Sequence, residues 1–367
     1  MTNKELKIDK VFLAIIAILT IVGFIIFSSA SLGLLARDGV SFGSVAIKQM
    51  IGLIIGCGVF YLMSRYNYKN LRKYSFYIFI AAIFINLLLF IPFISLNHGG
   101  ASRWIDLGIV TFQPSEFLKI AFIIYFAAWL SGIKDKVLNF KNSIIPFLVI
   151  LGLLGILLMA QSDTDTFLVI AGTGVFMLFA AGARIRDLAI VGLIMMVVLG
   201  TVITVRPYAR QRILTFFDST INSQGSGYQI QQSLIAIGSG GFTGRGFGQS
   251  IQKFNYLPEP IGDSIFAVQA EEFGFIGSFA LIIIFLLFII KSIKISIRTE
   301  DNFGRLLVLG IGILIIVESF MNISSMLGII PLSGMPLLFI SHGGTAIIIT
   351  LAAVGIIANV SKYQKQI

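Results

Sequence analysis

The sequence has little charge, few histidines and almost no cysteine. Of its 367 residues, 12% are charged and 57% are hydrophobic. A chain with this balance is not a soluble globular domain. Its single cysteine, Cys57, excludes an internal disulfide, and we interpret it as a packing residue. The two histidines, His98 and His342, lie far apart and have no neighbouring cysteine, which argues against a zinc site.

Acidic residues are also scarce. The chain has 17 Asp and Glu residues but 27 Lys and Arg residues, so its formal net charge is +10. No basic run is interleaved with aromatic residues, so we do not expect a nucleic-acid partner. Most of the basic residues fall in segments that an even number of membrane spans would leave on the same side as the termini. By the positive-inside rule, this pattern predicts that both termini are cytoplasmic.

Ten apolar runs are long enough to cross about 30 Å of hydrocarbon. They lie near 11–31, 45–63, 75–95, 113–131, 143–161, 166–182, 187–205, 264–290, 304–330 and 335–359. We therefore predict an all-α polytopic membrane protein with about ten transmembrane helices and one integral membrane domain over 1–367. The first run lacks a small-residue cleavage site, so we expect it to be retained as a span.

One connection, between the seventh and eighth spans, is much longer than the others and runs from about 206 to 262. We predict that it is extracytoplasmic and contains short interfacial helices near 207–217 and 228–238, because structureless loops of this length are uncommon. It ends in LPEPIGDSIFAVQAEE, which places Asp263 at the start of the eighth span, shortly after Glu259. Charge at membrane depth is costly and usually functional. The alternative for Asp263 is a helix N-cap.

The same loop carries candidates for binding an anion. Arg210 and Arg212 could hold a phosphate group bidentately, and Lys253 adds a further positive charge. Ser239 and Gly240 lie in a glycine-rich run that could form a nest of backbone amides. The alternatives are an electrostatic anchor to anionic lipid for the basic residues and tight turns for the glycines.

A second polar region, HGGASRWIDLG, follows the third run and leads to FQPSEFLK. Trp104, next to Arg103, is either an interfacial anchor or a contact for a carbohydrate ring. Pro114 predicts the start of the fourth helix. Glu116 and Lys119 are three residues apart on one helix face, where they form either a neutralising pair or part of a binding site.

Glu318 lies in the middle of the ninth apolar run. Its carboxyl group is either protonated or paired with a neighbouring helix. Its functional interpretation would be a proton relay in a transporter or lipid flippase. The other polar candidates gather toward one end of the spans, which favours chemistry at a membrane face over a path through both leaflets.

Three motifs occur in a fixed order along the chain. They are GGASRWIDLG with FQPSEFLK, then GYQIQQSLIAIGSGGFTGRGFGQSIQKFNYLPEPIGDSIFAVQAEEFGFIG, and PLSGMPLLFISHGG before the last span. Together they resemble the SEDS family of membrane glycosyltransferases, which includes FtsW and RodA, over nearly the whole chain. The segment QSIQKFNYLPEP is more similar to the division branch, FtsW, than to the elongation branch, RodA.

The resemblance implies a peptidoglycan glycosyltransferase that polymerises lipid II at the outer face of the bacterial cytoplasmic membrane during cell division. It implies that Asp263 is catalytic, in an inverting reaction with an undecaprenyl-pyrophosphate leaving group. It further implies a divalent cation, Mg²⁺ or Mn²⁺, with ligands that we cannot assign. The implied partners are a class B penicillin-binding protein and other divisome or elongasome proteins. The candidate substrate-binding residues are Arg103, Trp104, Glu116, Lys119, Arg210, Arg212, Ser239, Gly240, Lys253, Glu259 and Ser341.

Three positions depart from the family pattern. The usual QPDxGT reads QSDTDT here, which puts Ser162 in place of the proline and Asp165 in place of the glycine. The usual SYGG reads SHGG, which puts His342 in place of a tyrosine. We assign no role to Asp165, His342 or Glu318. Two alternative functions remain, a flippase or transporter of lipid-linked precursors and a noncatalytic division scaffold. A scaffold would tolerate replacement of Asp263.

Overall fold

A computed structural model of the chain describes residues 7–36, 42–91, 95–98, 101–106, 111–218 and 225–365. Within these ranges, twelve α-helices accompany a small antiparallel sheet of three strands in the order β1-β2-β3. The strands are β1 Ser95–His98, β2 Ala101–Asp106 and β3 Thr111–Phe112. The helices are α1 Lys10–Ser31, α2 Phe42–Arg65, α3 Tyr68–Leu87, α4 Pro114–Ile133, α5 Phe140–Ala160, α6 Thr164–Ala181, α7 Ile185–Val205, α8 Pro207–Phe217, α9 Ser226–Ser239, α10 Ile265–Arg298, α11 Asn302–Met326 and α12 Gly344–Val360.

Ten of these helices, α1 to α7 and α10 to α12, are long and apolar enough to cross a membrane. The prediction of an all-α polytopic membrane protein with about ten spans is confirmed. Several boundaries differ: α3 ends at Leu87 rather than near 95, α10 ends at Arg298 rather than near 290, and two helix starts move. Helix α3 begins at Tyr68 rather than near 75, because the Asn67 side chain accepts a hydrogen bond from the Lys69 amide and caps the helix. Helix α12 begins at Gly344 rather than near 335.

The segment before α12 stays non-helical although it is largely buried. Pro331 and Pro336 lack the amide hydrogen that a helix interior needs. The Leu337 amide instead donates to the Ser341 hydroxyl at 2.8 Å. The last apolar run therefore splits into a buried loop and a spanning helix, and the loop becomes available to support a site.

The alternation of the spans brings several connections to one end of the bundle, opposite the termini. The Asp9 amide donates to the Ser361 hydroxyl at 3.1 Å, so the described N- and C-terminal segments share one end. The connections between α3 and α4, α5 and α6, α7 and α10, and α11 and α12 share the other. We call this other end the loop end. The predicted site residues outside the spans lie on these connections.

The bundle buries α4, α11 and α12 most completely, whereas α7 is almost entirely peripheral. Large apolar side chains of α7, such as Leu193 and Met196, are exposed and suit a lipid-facing surface. Cys57 on α2 is exposed as well. Its interpretation as a packing residue was wrong, since an apolar residue in a membrane protein can face lipid as readily as protein.

The long connection contains α8 and α9, as predicted, and then packs against a break in α10. Gly274 interrupts α10 with φ 64° and ψ −163°. Carbonyl groups freed near the break accept hydrogen bonds from the glycine-rich loop, residues 238–248. The Arg245 amide donates to Glu271 O and the Gly246 amide to Glu272 O, both at 3.0 Å. Of the two alternatives for the glycines, the structure favours tight turns over an anion-binding nest, because these amides are already occupied and several of the glycines have a positive φ.

Candidate active site

Asp263 lies at the loop end, in the last turn of the long connection before α10. The N-cap of α10 is Ser264, and it makes no side-chain capping hydrogen bond. The alternative interpretation of Asp263 as the helix cap was therefore wrong. Its side chain is half-buried, and no side chain among the described residues hydrogen-bonds to its carboxylate. The carboxylate is thus available to a ligand.

The backbone around Asp263 is fixed by the buried segment before α12. The Ser341 hydroxyl donates to Gly262 O at 2.8 Å, and the His342 amide donates to Ile261 O at 2.7 Å. The turn also closes on itself, since the Gly262 amide donates to Glu259 O at 3.0 Å. Ser341, one of the predicted substrate-binding residues, therefore supports the site through the backbone.

Asn322 on α11 is a site residue that the sequence analysis missed. Its fully buried side-chain amide donates to Asp263 O and to Met335 O, each at 2.7 Å. One amide thus joins the turn that carries Asp263 to the loop before α12. The available signal was an asparagine within an apolar run, one helical turn after Glu318.

An ion pair lies beside Asp263. Arg212 Nη1 on α8 donates to both carboxylate oxygens of Asp165 on α6, at 2.7 and 3.0 Å. The Gly334 amide donates to Asp165 Oδ2 at 3.2 Å. A methyl group added at Gly334 would lie 3.4 Å from Arg212 Nη2, 3.6 Å from Asp263 Oδ2 and 3.8 Å from Asp165 Oδ2. The three charged side chains therefore converge on one point.

This environment changes the acidity of Asp263. Burial, followed by the Glu259 and Asp165 carboxylates, raises the pKa of Asp263 to about 7, although the Arg212 and Arg103 guanidinium groups oppose the rise. An unperturbed aspartate would be fully ionised at neutral pH. Asp263 instead exchanges its proton near neutral pH, which suits a group that accepts a proton during a reaction.

A cavity of about 370 Å³ opens next to the ion pair, and Arg212 forms part of its wall. Tyr208, Ser226, Gln229 and Pro258 contribute to the remaining wall. Gln229 also donates to the Ser264 hydroxyl at 2.9 Å, which ties α9 to the start of α10. The cavity thus offers a cation, amide groups and an aromatic ring to a polar ligand.

The sheet supplies Arg103 and Trp104 to the same end of the bundle. Arg103 Nη2 donates to Ser162 O, which links β2 to the connection between α5 and α6. Its buried Nε has no hydrogen-bond partner among the described residues. Trp104 lies half-buried on the same strand.

Three predicted residues of the long connection lie away from Asp263. Arg210 is exposed on α8, and its position two residues before Arg212 puts it on another face of that helix. The Ser239 hydroxyl donates to Ala236 O within α9. Gly240 packs against α10, because a Cβ there would lie 2.1 Å from Ala270 O. None of these three residues lies beside the Asp263 carboxylate.

Lys253 is fully buried in a separate cluster below the glycine-rich loop. Its ammonium group donates to Glu272 Oε1 at 2.7 Å, to Gly248 O at 2.9 Å and to the Ser29 hydroxyl at 3.2 Å. All three of its donors are therefore used within the protein. This arrangement gives Lys253 a structural role, and we do not retain it as a substrate-binding residue.

Glu116 and Lys119 form the predicted pair inside the bundle, at 2.9 Å. Lys119 also contacts Glu318 on α11 at 2.5 Å, and all three side chains are buried. Of the two alternatives for Glu318, the structure favours pairing with a neighbouring helix. The cluster joins α4 to α11 and stabilises buried charge by pairing it.

His342 lies behind the site rather than in it. Its ring stacks on Phe27, with 5.7 Å between ring centroids, and its Nδ1 lies 3.1 Å from Gln49 Oε1. Burial lowers the pKa of His342, and the Lys48 charge lowers it further. The side chain therefore packs as a neutral imidazole against α1 and α2.

The described residues do not form a ready metal site. No three His, Cys, Asp or Glu side chains among them are grouped so that they could hold an ion. The sequence argues against His98 as a zinc ligand, and its side chain lies outside the described part of the chain. The residues present thus do not fit a dedicated protein site for the expected divalent cation, and we derive no step through it.

Comparison with known proteins relates the chain to a family over its full length. The FtsW, RodA and SpoVE family, described as cell cycle proteins, matches residues 9–366. A probable peptidoglycan glycosyltransferase FtsW from Geobacter sp. (strain M18) is 38% identical over 357 residues, which cover 96% of each chain. Stage V sporulation protein E from Bacillus subtilis (strain 168) is 34% identical over 365 residues, which cover both chains fully.

Solved structures share the fold at lower identity. A chain from a peptidoglycan synthase complex superposes with a TM-score of 0.81 and 23% identity, covering 98% of this chain and 99% of that one. The rod shape determining protein RodA of Thermus thermophilus superposes with a TM-score of 0.71 and 23% identity, covering 98% of each. The full-length family match and these identities show that the chain belongs to the FtsW, RodA and SpoVE family of cell cycle proteins.

Proposed function

We propose that this protein is a peptidoglycan glycosyltransferase that polymerises lipid II during cell division. The observation that carries the proposal is the half-buried Asp263 carboxylate, beside Arg212 and a polar cavity, at the loop end of a ten-span bundle. Relatives that match nearly the whole chain are named probable peptidoglycan glycosyltransferase FtsW. The chemistry of the site and the names of these relatives agree.

Asp263 acts as the general base. Its carboxylate takes the proton from the acceptor sugar hydroxyl while that oxygen attacks the anomeric carbon of the donor. The bond between that carbon and the leaving pyrophosphate breaks in the same step, so an α-linked donor becomes a β-linked product. A single displacement needs no nucleophile on the protein. General-base catalysis of this kind contributes about 10²- to 10⁴-fold.

Arg212 receives the leaving undecaprenyl pyrophosphate. A guanidinium group has a planar fork of donors that matches phosphate oxygens, and this one faces the cavity. Arg103 adds positive charge from the sheet side of the site. We keep Arg103, Trp104 and Glu259 as candidate substrate-binding residues because they lie on the same loop end.

We place the protein in the bacterial cytoplasmic membrane, with both termini cytoplasmic and the loop end outside. A class B penicillin-binding protein is the expected partner, since the complex that contains the structural relative coordinates polymerisation with crosslinking. We propose no flippase activity. The buried carboxylate that could have suggested a proton relay, Glu318, is paired with Lys119.

The test is polymerisation of labelled lipid II by the purified protein with its cognate transpeptidase. Assays contain Mg²⁺ or Mn²⁺, with a parallel EDTA series for the cation. Asp263→Asn should lower the rate at least about 10²-fold, in line with loss of a general base. Asp187→Asn is the control, because it changes a buried aspartate on α7 away from the site. Full activity in folded Asp263→Asn protein would remove Asp263 as the base.

A further inference from the structure

Asp165 is a buried carboxylate beside the site that the proposed chemistry does not use. It lies in the first turn of α6 and is 6% exposed. Both of its oxygens accept from Arg212 Nη1, and one also accepts from the Gly334 amide. Three separate parts of the loop end, namely α6, α8 and the segment before α12, meet at this carboxylate.

We propose that Asp165 is a positioning residue that holds the Arg212 guanidinium beside Asp263, with its free donors directed to the leaving group. The inference rests on the proposed polymerase function. Among the described residues, the hydrogen bonds of Arg212 all come from Nη1. Its Nη2 and Nε therefore remain for a ligand, and Nη2 is the atom close to the point where Asp263 and Asp165 converge.

The guanidinium is held on a second side as well. The Tyr208 ring lies under it, with 4.4 Å between Cζ and the ring centroid. An arginine side chain loses much rotamer freedom when it binds a ligand, and prior fixation reduces that loss. Asp165 and Tyr208 thus fix Arg212 before substrate arrives, in the wall of the 370 Å³ cavity.

The same carboxylate acts on Asp263 through its charge. The charged groups that face Asp263 are Glu259 on its own turn, Asp165 on α6, Arg212 on α8 and Arg103 on β2. Asp165 raises the pKa of Asp263, while Arg212 lowers it. Neutralising Asp165 therefore lowers the pKa of Asp263. A base is active when deprotonated, so the acidic limb of the pH–rate profile should move to lower pH.

The test compares Asp165→Asn, Asp165→Glu and Asp187→Asn in the lipid II polymerisation assay. Each rate is divided by the concentration of monodisperse protein in the sample. Asp187 is a matched control, since it is also a buried first-turn aspartate next to an arginine, Arg186. We expect Asp165→Asn to lower kcat about tenfold, as misplaced catalytic groups do, and to shift the acidic limb to lower pH. Asp165→Glu should restore most of kcat.

A double-mutant cycle with Arg212→Gln shows whether Asp165 acts through Arg212. In the Arg212→Gln background, Asp165→Asn should change kcat by no more than about twofold, because the group that it positions is gone. An unshifted acidic limb, or equal losses in both backgrounds, would overturn the proposal. Such results with an active wild type would leave the proposed polymerase function intact, whereas an inactive wild type would count against that function itself.

Discussion

At the scale of single residues, the site depends on groups that hold the backbone of Asp263 as much as on the carboxylate. Ser341 and His342 donate hydrogen bonds to the backbone carbonyls of the two residues before Asp263, and Asn322 donates one to the carbonyl of Asp263 itself. Reacting groups must be placed to within a fraction of an ångström, and a misplacement of about 1 Å can cost 10²-fold in rate. Residues that never touch substrate can therefore control the rate.

Asn322→Leu tests this dependence. The leucine removes the donor to Asp263 O and Met335 O. We expect kcat for lipid II polymerisation to fall about 10- to 100-fold because the Asp263 turn is released. The free energy of unfolding should fall by about 1–3 kcal/mol for each of the two carbonyls left unpaired.

The matched control is Asn359→Leu at the opposite end of the bundle. Asn359 is also a buried amide that joins two backbone groups, accepting from the Tyr68 amide and donating to Ser64 O. It should lose similar stability, measured by thermal unfolding, with no change in kcat per folded molecule. Equal kcat in both variants would show that Asn322 is only structural.

The sequence drew attention to Asp263 because a carboxylate beside an apolar run is unusual, and the family resemblance supplied the prediction that it is catalytic. It did not predict Asn322 or the partner of Arg212. These contacts join residues 59 and 47 positions apart in the chain, and only the folded bundle brings them together. Lys253 is a residue for which the prediction failed. Its charge suggested that it binds substrate, but the side chain is buried and paired with Glu272, which gives it a structural role.

At the scale of elements, the break in α10 and the glycine-rich loop form one unit. The loop carbonyl groups of Gly241 and Phe242 accept from the Phe275 and Ile276 amides beyond the break. A helix inside a membrane must satisfy every backbone group, so a break requires such a partner. The sequence showed the glycines but not the break, because apolar residues continue across Gly274.

Gly244→Ala should disrupt this unit. Gly244 has φ +80°, and a Cβ there would lie 2.1 Å from Glu272 O. Gly241→Ala is the control, because Gly241 also has a positive φ, of +54°, but open space around its Cβ. We expect a loss of about 1 kcal/mol for Gly241→Ala from backbone strain alone. Gly244→Ala should lose about 3 kcal/mol or more, because overpacking adds to the strain. Equal unfolding temperatures for the two variants would contradict the close packing.

At the scale of the whole molecule, the long apolar runs predicted ten spans, and the described part of the chain contains ten helices that fit them. The number of spans was predictable because each needs a long apolar run. The start of α12 was not, because the apolar stretch from Leu337 to Ile340 in the buried loop before it looks like the beginning of a span. The orientation in the membrane rests on the distribution of basic residues, and it decides whether the site faces the outside, where peptidoglycan is made.

The lone cysteine makes this orientation testable. Cys57→Ser gives a cysteine-free background, into which Arg210→Cys at the loop end or Glu300→Cys between α10 and α11 is introduced. Both positions are exposed, and the alternation of spans puts them at opposite ends. A membrane-impermeant maleimide added to intact cells should label Arg210→Cys, and should label Glu300→Cys only after permeabilisation. The reverse pattern would place Asp263 on the cytoplasmic side, where it could not polymerise lipid II at the outer face.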